Sequence, residues 1–413
     1  MVASHPAAPA RPGRLVSVDL LRGLVMVLMA LDHVRDYFTS LAFQPEDMRH
    51  TYPLLFATRW VTHFCAPGFF FLAGLGAYLS GRGAQPRELG AFLLKRGAWL
   101  IVLELTVVFW GWTFLFPLPG PALLVIWALG WSMVTLALLV RLPLPAIAAF
   151  GLALIAGHNL FDAVEPSRFG KFAWLWMVLH KQGLIPLGLH VAGLPEPFGI
   201  FVVYPLVPWL GVMAVGYAAG PIFKRPASER GRTLARLGLG LTALFVVLRS
   251  TGVYGDPPAG LTTGSPGPFA VQASPAMTVV SFLNVEKYPP SLQYLLMTLG
   301  PSLLLLAWFD RLDLASAWGR LAEKLLVFGR VPMFYYVLHI YLIHTLAILV
   351  ALAWGQPTRS AVRGFMFGIE PGYGHGLAFI YCVWILVVVA LYPACRWFAG
   401  VKQRRRDWWL GYV

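Results

Sequence analysis

Long apolar runs alternate along this chain with short polar or basic connections. Runs such as 123–140, 201–219 and 377–392 approach or exceed the roughly 20 residues that cross a bilayer as a helix. The pattern predicts about ten spans, at 17–39, 57–79, 92–116, 121–140, 143–160, 198–220, 233–250, 289–309, 326–352 and 376–396. The fold class is therefore all-α, a polytopic transmembrane helix bundle. Residues 161–197 are broken by Lys171, His180, Lys181, Gln182 and several prolines. They read as a re-entrant or surface-lying piece, with an eleventh span as the alternative. Residues 251–288 are rich in Gly, Pro, Ser and Thr and read as a long outer loop, functional or disordered.

Composition agrees with this division. Hydrophobic residues make up 58% of the 413 and charged residues only 12%, against about 25% charged in soluble domains. The net charge of +14 invites a nucleic-acid partner, but the basic residues sit in short segments between apolar spans, as the positive-inside rule expects. With both termini cytoplasmic, the inner segments hold Arg82, Arg87, Lys95, Arg96, Lys224, Arg225, Arg230, Arg232, Arg236, Lys402 and Arg404 to Arg406. The outer segments then hold about half as many. Residues 1–13 read as a disordered cytoplasmic tail, 14–400 as one membrane domain and 401–413 as a basic cytoplasmic tail. Arg11 and Arg14 before an apolar stretch resemble a signal peptide, yet Asp32 and His33 follow without a small-residue cleavage site, so an uncleaved first helix is expected. Cys65, Cys382 and Cys395 lie in apolar context without metal-ligand spacing and are expected to pack in the core.

Ionisable residues inside the spans are the candidate chemistry, because membrane helices seldom carry them unless they face a protein interior or cavity. The first helix, with Ser17 as expected N-cap, places Arg22 and His33 eleven residues apart. They share nearly one face, separated by ~16 Å along the axis. The second helix puts Arg59 and His63 one turn apart, at the depth of Asp32 and His33. Asp36 lies nearer the face of His33 than Asp32 does, and is expected to orient it. Gly68, Gly74 and Gly76 permit a close neighbour. In the ninth span Tyr335 and His339 share a face, as do Tyr341 and His344. Lys287 enters the eighth span from outside, to meet an anionic group or to snorkel. Each of these residues could instead be a packed polar group or an interfacial one. No H-E-x-x-H, P-loop, G-x-S-x-G, voltage sensor or selectivity filter is present in the sequence, and no metal is expected.

The first helix resembles the opening helix of transmembrane acyltransferases. In the acyltransferase-3 type an Arg and a His with ten residues between them mark the catalytic helix, and Arg22 and His33 have that spacing. Ser-Val-Asp-Leu-Leu-Arg-Gly, Phe-Cys-Ala-Pro-Gly-Phe-Phe-Phe-Leu-Ala-Gly, Lys-Tyr-Pro-Pro-Ser and Phe-Tyr-Tyr-Val-Leu-His-Ile-Tyr resemble bacterial relatives of heparan-alpha-glucosaminide N-acetyltransferase. The resemblance is thin between about 80 and 190 and across 221–280. It implies acetyl transfer from cytoplasmic acetyl-CoA, as co-substrate, to a sugar amine or hydroxyl of a glycan or amino-sugar acceptor on the far side. It would place the chain in the cytoplasmic (inner) membrane of a bacterium. His33, His63, Asp36 and Asp32 are then the catalytic candidates. Arg22, Arg82, Lys95 and Arg96 would meet the donor, and Arg59, Lys287, Tyr335, His339 and His344 the acceptor. Lysosomal members place their essential His after the first helix, where this chain offers His50. A small-molecule transporter is the alternative, since buried His, Arg and Asp also mark transport paths, but no paired halves with matching broken helices are evident. A structural role in envelope assembly is the third reading.

The charge asymmetry puts the 251–288 loop outside. A cysteine introduced at Ser265 should react with an impermeant thiol reagent on intact cells or spheroplasts. Labelling that appears only after lysis would reverse the orientation.

Overall fold

The computed structural model describes residues 15–81, 84–115, 120–188, 198–257, 267–363, 368–405 and 407–411. Arg82, Ser265, and the 1–13 tail lie outside the described residues. Helix α1 spans Val16–Phe38. Helix α2 is Pro53–Ser80, tightened to a 3-10 turn at Val61–Phe64. Helix α3, Pro86–Leu103, continues through a π-turn at Glu104–Val108 into Phe109–Thr113. Strand β1 (Ala122–Leu123) precedes α4 (Val125–Leu139) and α5 (Leu144–Phe161). Helix α6 (Ala173–Leu179) and strands β2 (Gly183–Pro186) and β3 (Gly199–Val202) lead to α7 (Leu206–Lys224) and α8 (Ala227–Thr251). Helices α9 (Pro275–Leu283), α10 (Leu292–Phe309), α11 (Ala317–Arg330), α12 (Pro332–Ala353), α13 (Thr358–Arg363) and α14 (Leu377–Arg404) complete the chain.

The architecture is helical, and among the described residues seven helices are long and apolar enough to cross a membrane: α2, α5, α7, α8, α10, α12 and α14. Helix α1 is long enough but carries Asp19, Arg22, Asp32, Arg35 and Asp36. It tolerates them because it is central, packed against α2, α10, α11, α12 and α14 with most of its residues buried.

Several expectations are corrected. The span expected at 326–352 is two helices, because Val331 leaves helical geometry (φ −132°, ψ 50°) and Pro332 starts α12. Residues 326–330 belong to amphipathic α11. The span expected from 198 begins at Leu206, since Gly199–Val202 pairs in a three-stranded sheet, parallel to β1 and antiparallel to β2. The 251–288 segment contains α9, which starts with the Ser274 hydroxyl accepting from the Met277 N–H and with Pro275 in the first turn. Ser17 does not cap α1: the N-cap is Leu15, and Ser17 is buried inside the first turn. Cys65 and Cys395 are buried as expected, whereas Cys382 is exposed.

Backbone proximity sets how α1 is held. Gly23 of α1 and Gly329 of α11 face each other. A Cβ on Gly23 would come within 2.0 Å of the Leu325 carbonyl oxygen, and one on Gly329 within 2.0 Å of that of Asp19. Such contacts are the membrane substitute for hydrophobic burial. Gly74 makes the same approach to Met213 of α7, Gly68 has ordinary contacts with Val25, and Gly76 faces open space.

Gly329→Ala should therefore cost about 1–3 kcal/mol by overpacking. Gly240→Ala, at an open position inside α8, should be neutral or gain up to about 1 kcal/mol in helix propensity. Thermal midpoints of the purified proteins decide; equal shifts would refute the tight α1–α11 crossing.

Candidate active site

Residues of α1, α2 and the loop between them meet in a chain of buried and partly buried charges. The Arg35 guanidinium donates to Asp36 at 2.5 Å and to Asp32 at 3.0 Å. Arg59 of α2 donates to the other oxygen of Asp32, and through Nε to Glu46 at 2.6 Å. Glu46 Oε1 lies 3.6 Å from His63 Nε2. The order is Asp36, Arg35, Asp32, Arg59, Glu46, His63, with each guanidinium held between two carboxylates. Burial would push the Glu46 carboxyl up, but the Arg59 charge and the His63 ring outweigh it and hold it well below the usual range.

His33 stands outside this chain. Its Nδ1 lies 2.6 Å from Nε2 of His339, and the two rings meet edge to edge, with centroids 4.9 Å apart and planes within 16°. The edge of Trp112 is at 4.8 Å and Tyr336 at 6.2 Å between ring centroids. His339 is completely buried, while His33 keeps some exposed surface. Trp112 is set by the Tyr37 hydroxyl, which donates to its carbonyl at 2.5 Å.

The sequence-predicted residues thus divide. Asp32, Asp36, Arg59 and His63 fall in one charge chain, as the common depth expected of Asp32, Arg59 and His63 suggested, while His33 pairs with His339 instead. Asp36 does not orient His33, because the neighbouring Arg35 captures its carboxylate. His63 is buried against Glu46 and Tyr294, whose hydroxyl donates to its carbonyl at 2.7 Å. Tyr335 and His344 are also fully buried. His344 Nδ1 lies 2.8 Å from the Gly111 carbonyl, tying α12 to the end of α3. His50 is exposed and bound to Asp47 at 3.0 Å; hydrogen bonds from Arg49 and His50 lower the Asp47 carboxyl.

Lys287 is buried, and among the described residues its side chain has neither ion pair nor hydrogen bond; its ammonium lies 5.1 Å over the Tyr288 ring. Its loop is fixed from outside. Asp256 accepts from the Glu286 N–H at 3.0 Å, the Pro290 carbonyl lies 2.9 Å from His158 Nε2, and Asn159 accepts from the Leu292 N–H at 2.9 Å. Burial pushes the Asp256 carboxyl up to about 6 despite Arg249 beside it.

A cavity of about 330 Å³ lies toward the other end of α1. Arg22, Arg96, Arg330 and Lys402 line it with apolar residues of α2, α3, α4 and α12, and it includes Tyr336, the neighbour of His33. Lys95 is on the exposed face of α3, outside this lining. Arg330, Lys402, Tyr336, Trp112 and Glu46 did not stand out from sequence alone. Glu104 did not either, although a lone Glu in an apolar run is a signal. It is fully buried, and its Oε2 caps α4 by accepting from the Ile126 and Trp127 N–H groups.

Fold and site define a multi-pass integral membrane protein with a largely buried polar centre and a separate cavity lined by basic residues. The family model described as heparan-alpha-glucosaminide N-acetyltransferase, catalytic, matches residues 14–250, more than half of the chain. The chain belongs to that family of transmembrane acetyltransferases. No curated protein matches it.

Removing Arg59 would strand two largely buried carboxylates, Asp32 and Glu46. Breaking one partner of a buried pair costs about 3–5 kcal/mol. Arg59→Met should lower the thermal midpoint sharply, and Arg59→Met with Glu46→Gln should recover part of the loss. Additive losses would mean that the two residues are not coupled.

Proposed function

We propose that the protein transfers the acetyl group of cytoplasmic acetyl-CoA to a sugar amine or hydroxyl presented on the outer side of the membrane. The observation that carries this reading is the cavity. Its four basic residues suit a phosphate-rich donor, and its Tyr336 wall stands beside His33. Arg22, Arg96, Arg330 and Lys402 would hold the donor phosphates, with the pantetheine arm pointing along α1 toward His33. In this reading the bundle has ten spans and both termini are cytoplasmic.

His33 would act as general base. It takes the proton of the acceptor while the acceptor nitrogen or oxygen bonds to the thioester carbonyl carbon. The carbon–sulfur bond then breaks, and the proton passes from His33 to the CoA thiolate. Asp32 and Arg59 keep the helices that carry the site in register. Lys287 meets the acceptor, which supports an outer entrance because its loop is anchored to the ends of α5 and α8. Transfer through an acetyl-His33 would use the same ring; an acid-quenched digest separates it from direct transfer by mass.

His33→Ala should lower acetyl transfer by about 10²–10⁴-fold, the usual contribution of a general base. Arg330→Ala with Lys402→Ala should instead raise KM for acetyl-CoA with a smaller change in kcat. Full activity in His33→Ala would sink the base assignment. An unchanged KM in the double variant would move the donor site elsewhere.

A further inference from the structure

The family match ends at residue 250, well before α12. We propose that His339 is a positioning residue that fixes the tautomer of His33, so that Nδ1 of His33 carries the hydrogen and Nε2 is left as a bare lone pair facing the reacting groups. The proposal rests on the reading of His33 as the base.

The tautomer follows from hydrogen-bond polarity, starting at the backbone. Nδ1 of His339 lies 3.0 Å from the carbonyl oxygen of Tyr335, one turn earlier in α12. A carbonyl oxygen only accepts, so Nδ1 of His339 bears a hydrogen. The ring is completely buried, and among the described residues no carboxylate pairs with it. A second proton would bury an unpaired charge, which is costly, so His339 is neutral and its Nε2 is a lone pair. That nitrogen lies 2.6 Å from Nδ1 of His33. Two lone pairs at this distance would repel, so Nδ1 of His33 is the donor. Neutral His33 then has no hydrogen on Nε2.

Other groups near His33 do not compete for this role. The Asp32 and Asp36 carboxylates are taken by Arg35 and Arg59. Trp112 and Tyr336 meet the His33 ring as edge contacts. Stacking of Tyr335 on His339 at 5.2 Å, with planes only 4° apart, fixes the second ring in turn. The relay therefore runs from a helix carbonyl, through a buried imidazole, to the one imidazole of the pair with exposed surface. When His33 takes the acceptor's proton on Nε2, its bond to His339 becomes charge-assisted and stabilises the imidazolium. When that proton goes to the departing thiolate, the starting tautomer is restored without rearrangement.

The test uses full-length protein in lipid with 15N-labelled histidine rings. His33 is assigned by the signals lost in His33→Ala. The wild-type spectrum should show His33 with a protonated Nδ1 and an unprotonated Nε2. His339→Leu, which removes the acceptor, should abolish that pattern and lower kcat at least about tenfold, within the range a general base contributes, with KM for acetyl-CoA little changed. His339→Gln, whose amide oxygen can accept from His33, should keep the pattern and recover part of kcat. A protonated Nε2 on His33 in the wild type overturns the proposal, even if His339→Leu does not fold. So does a His339→Leu protein with unchanged kcat and unchanged spectrum. If His33→Ala is inactive in that case, the base reading survives and only the positioning role falls. If His33→Ala is active, the base reading itself falls.

Discussion

Everything at the centre of this bundle depends on neutralising charge where water is scarce. An isolated carboxylate or guanidinium among lipid-buried helices is costly. Here the cost is offset by alternation, with Arg35 between Asp36 and Asp32 and Arg59 between Asp32 and Glu46. The arrangement joins α1 to α2 and to the loop carrying Glu46. It also immobilises three of the four ionisable residues between positions 32 and 36. His33 is the one left out, and it is left with a single strong partner on another helix. The polar cluster and the candidate base are thus consequences of one constraint.

A second constraint is the break at Val331–Pro332. Proline has no N–H to give a helix, so it is tolerated at a helix start and not within one. Ending α11 at Arg330 puts that guanidinium at the cavity with Arg22. Starting α12 at Pro332 sets the phase of its later turns, with Tyr336 on the cavity wall and His339 behind His33. The Gly23–Gly329 approach then lets α11 lie close enough to α1 for both features to serve one space. The cavity and the polar centre are joined through α1 and α12, which contribute residues to both.

Much of this was legible in the sequence, and the exceptions have physical causes. Apolar length located the helical segments, and depth along helices correctly brought Arg59 to Asp32. Apolar pattern alone hid the break before α12, because Leu325 to Phe328 is as apolar as the helix after it, although Pro332 signals a helix boundary. It could not separate Lys95 from Arg96 either. Adjacent residues point about 100° apart on a helix, and only the packing of α3 decides which one lines a cavity. Asp36 was expected to serve His33 on helical phase alone, but Arg35 lies beside it and a guanidinium bond outcompetes an imidazole contact. The pairing of His33 with His339 spans 306 positions, and no local periodicity carries such information. Nor does any local rule predict that Glu46, in a connecting loop, folds back to complete an ion pair inside the bundle.

Lys287 completes the charge balance. Asp32, Asp36 and Glu46 are three carboxylates, and Arg35 and Arg59 supply two cations, so the hydrogen-bonded chain by itself is left with one negative charge. Lys287 lies within electrostatic reach of Asp32, Asp36, His33 and His63 without bonding to any of them. Its ammonium balances the cluster from a distance. In the proposed reaction the same charge would be available to a substrate oxygen that becomes negative as the acetyl group moves. Lys287 would therefore be the cation held in reserve for charge that develops when the base is used.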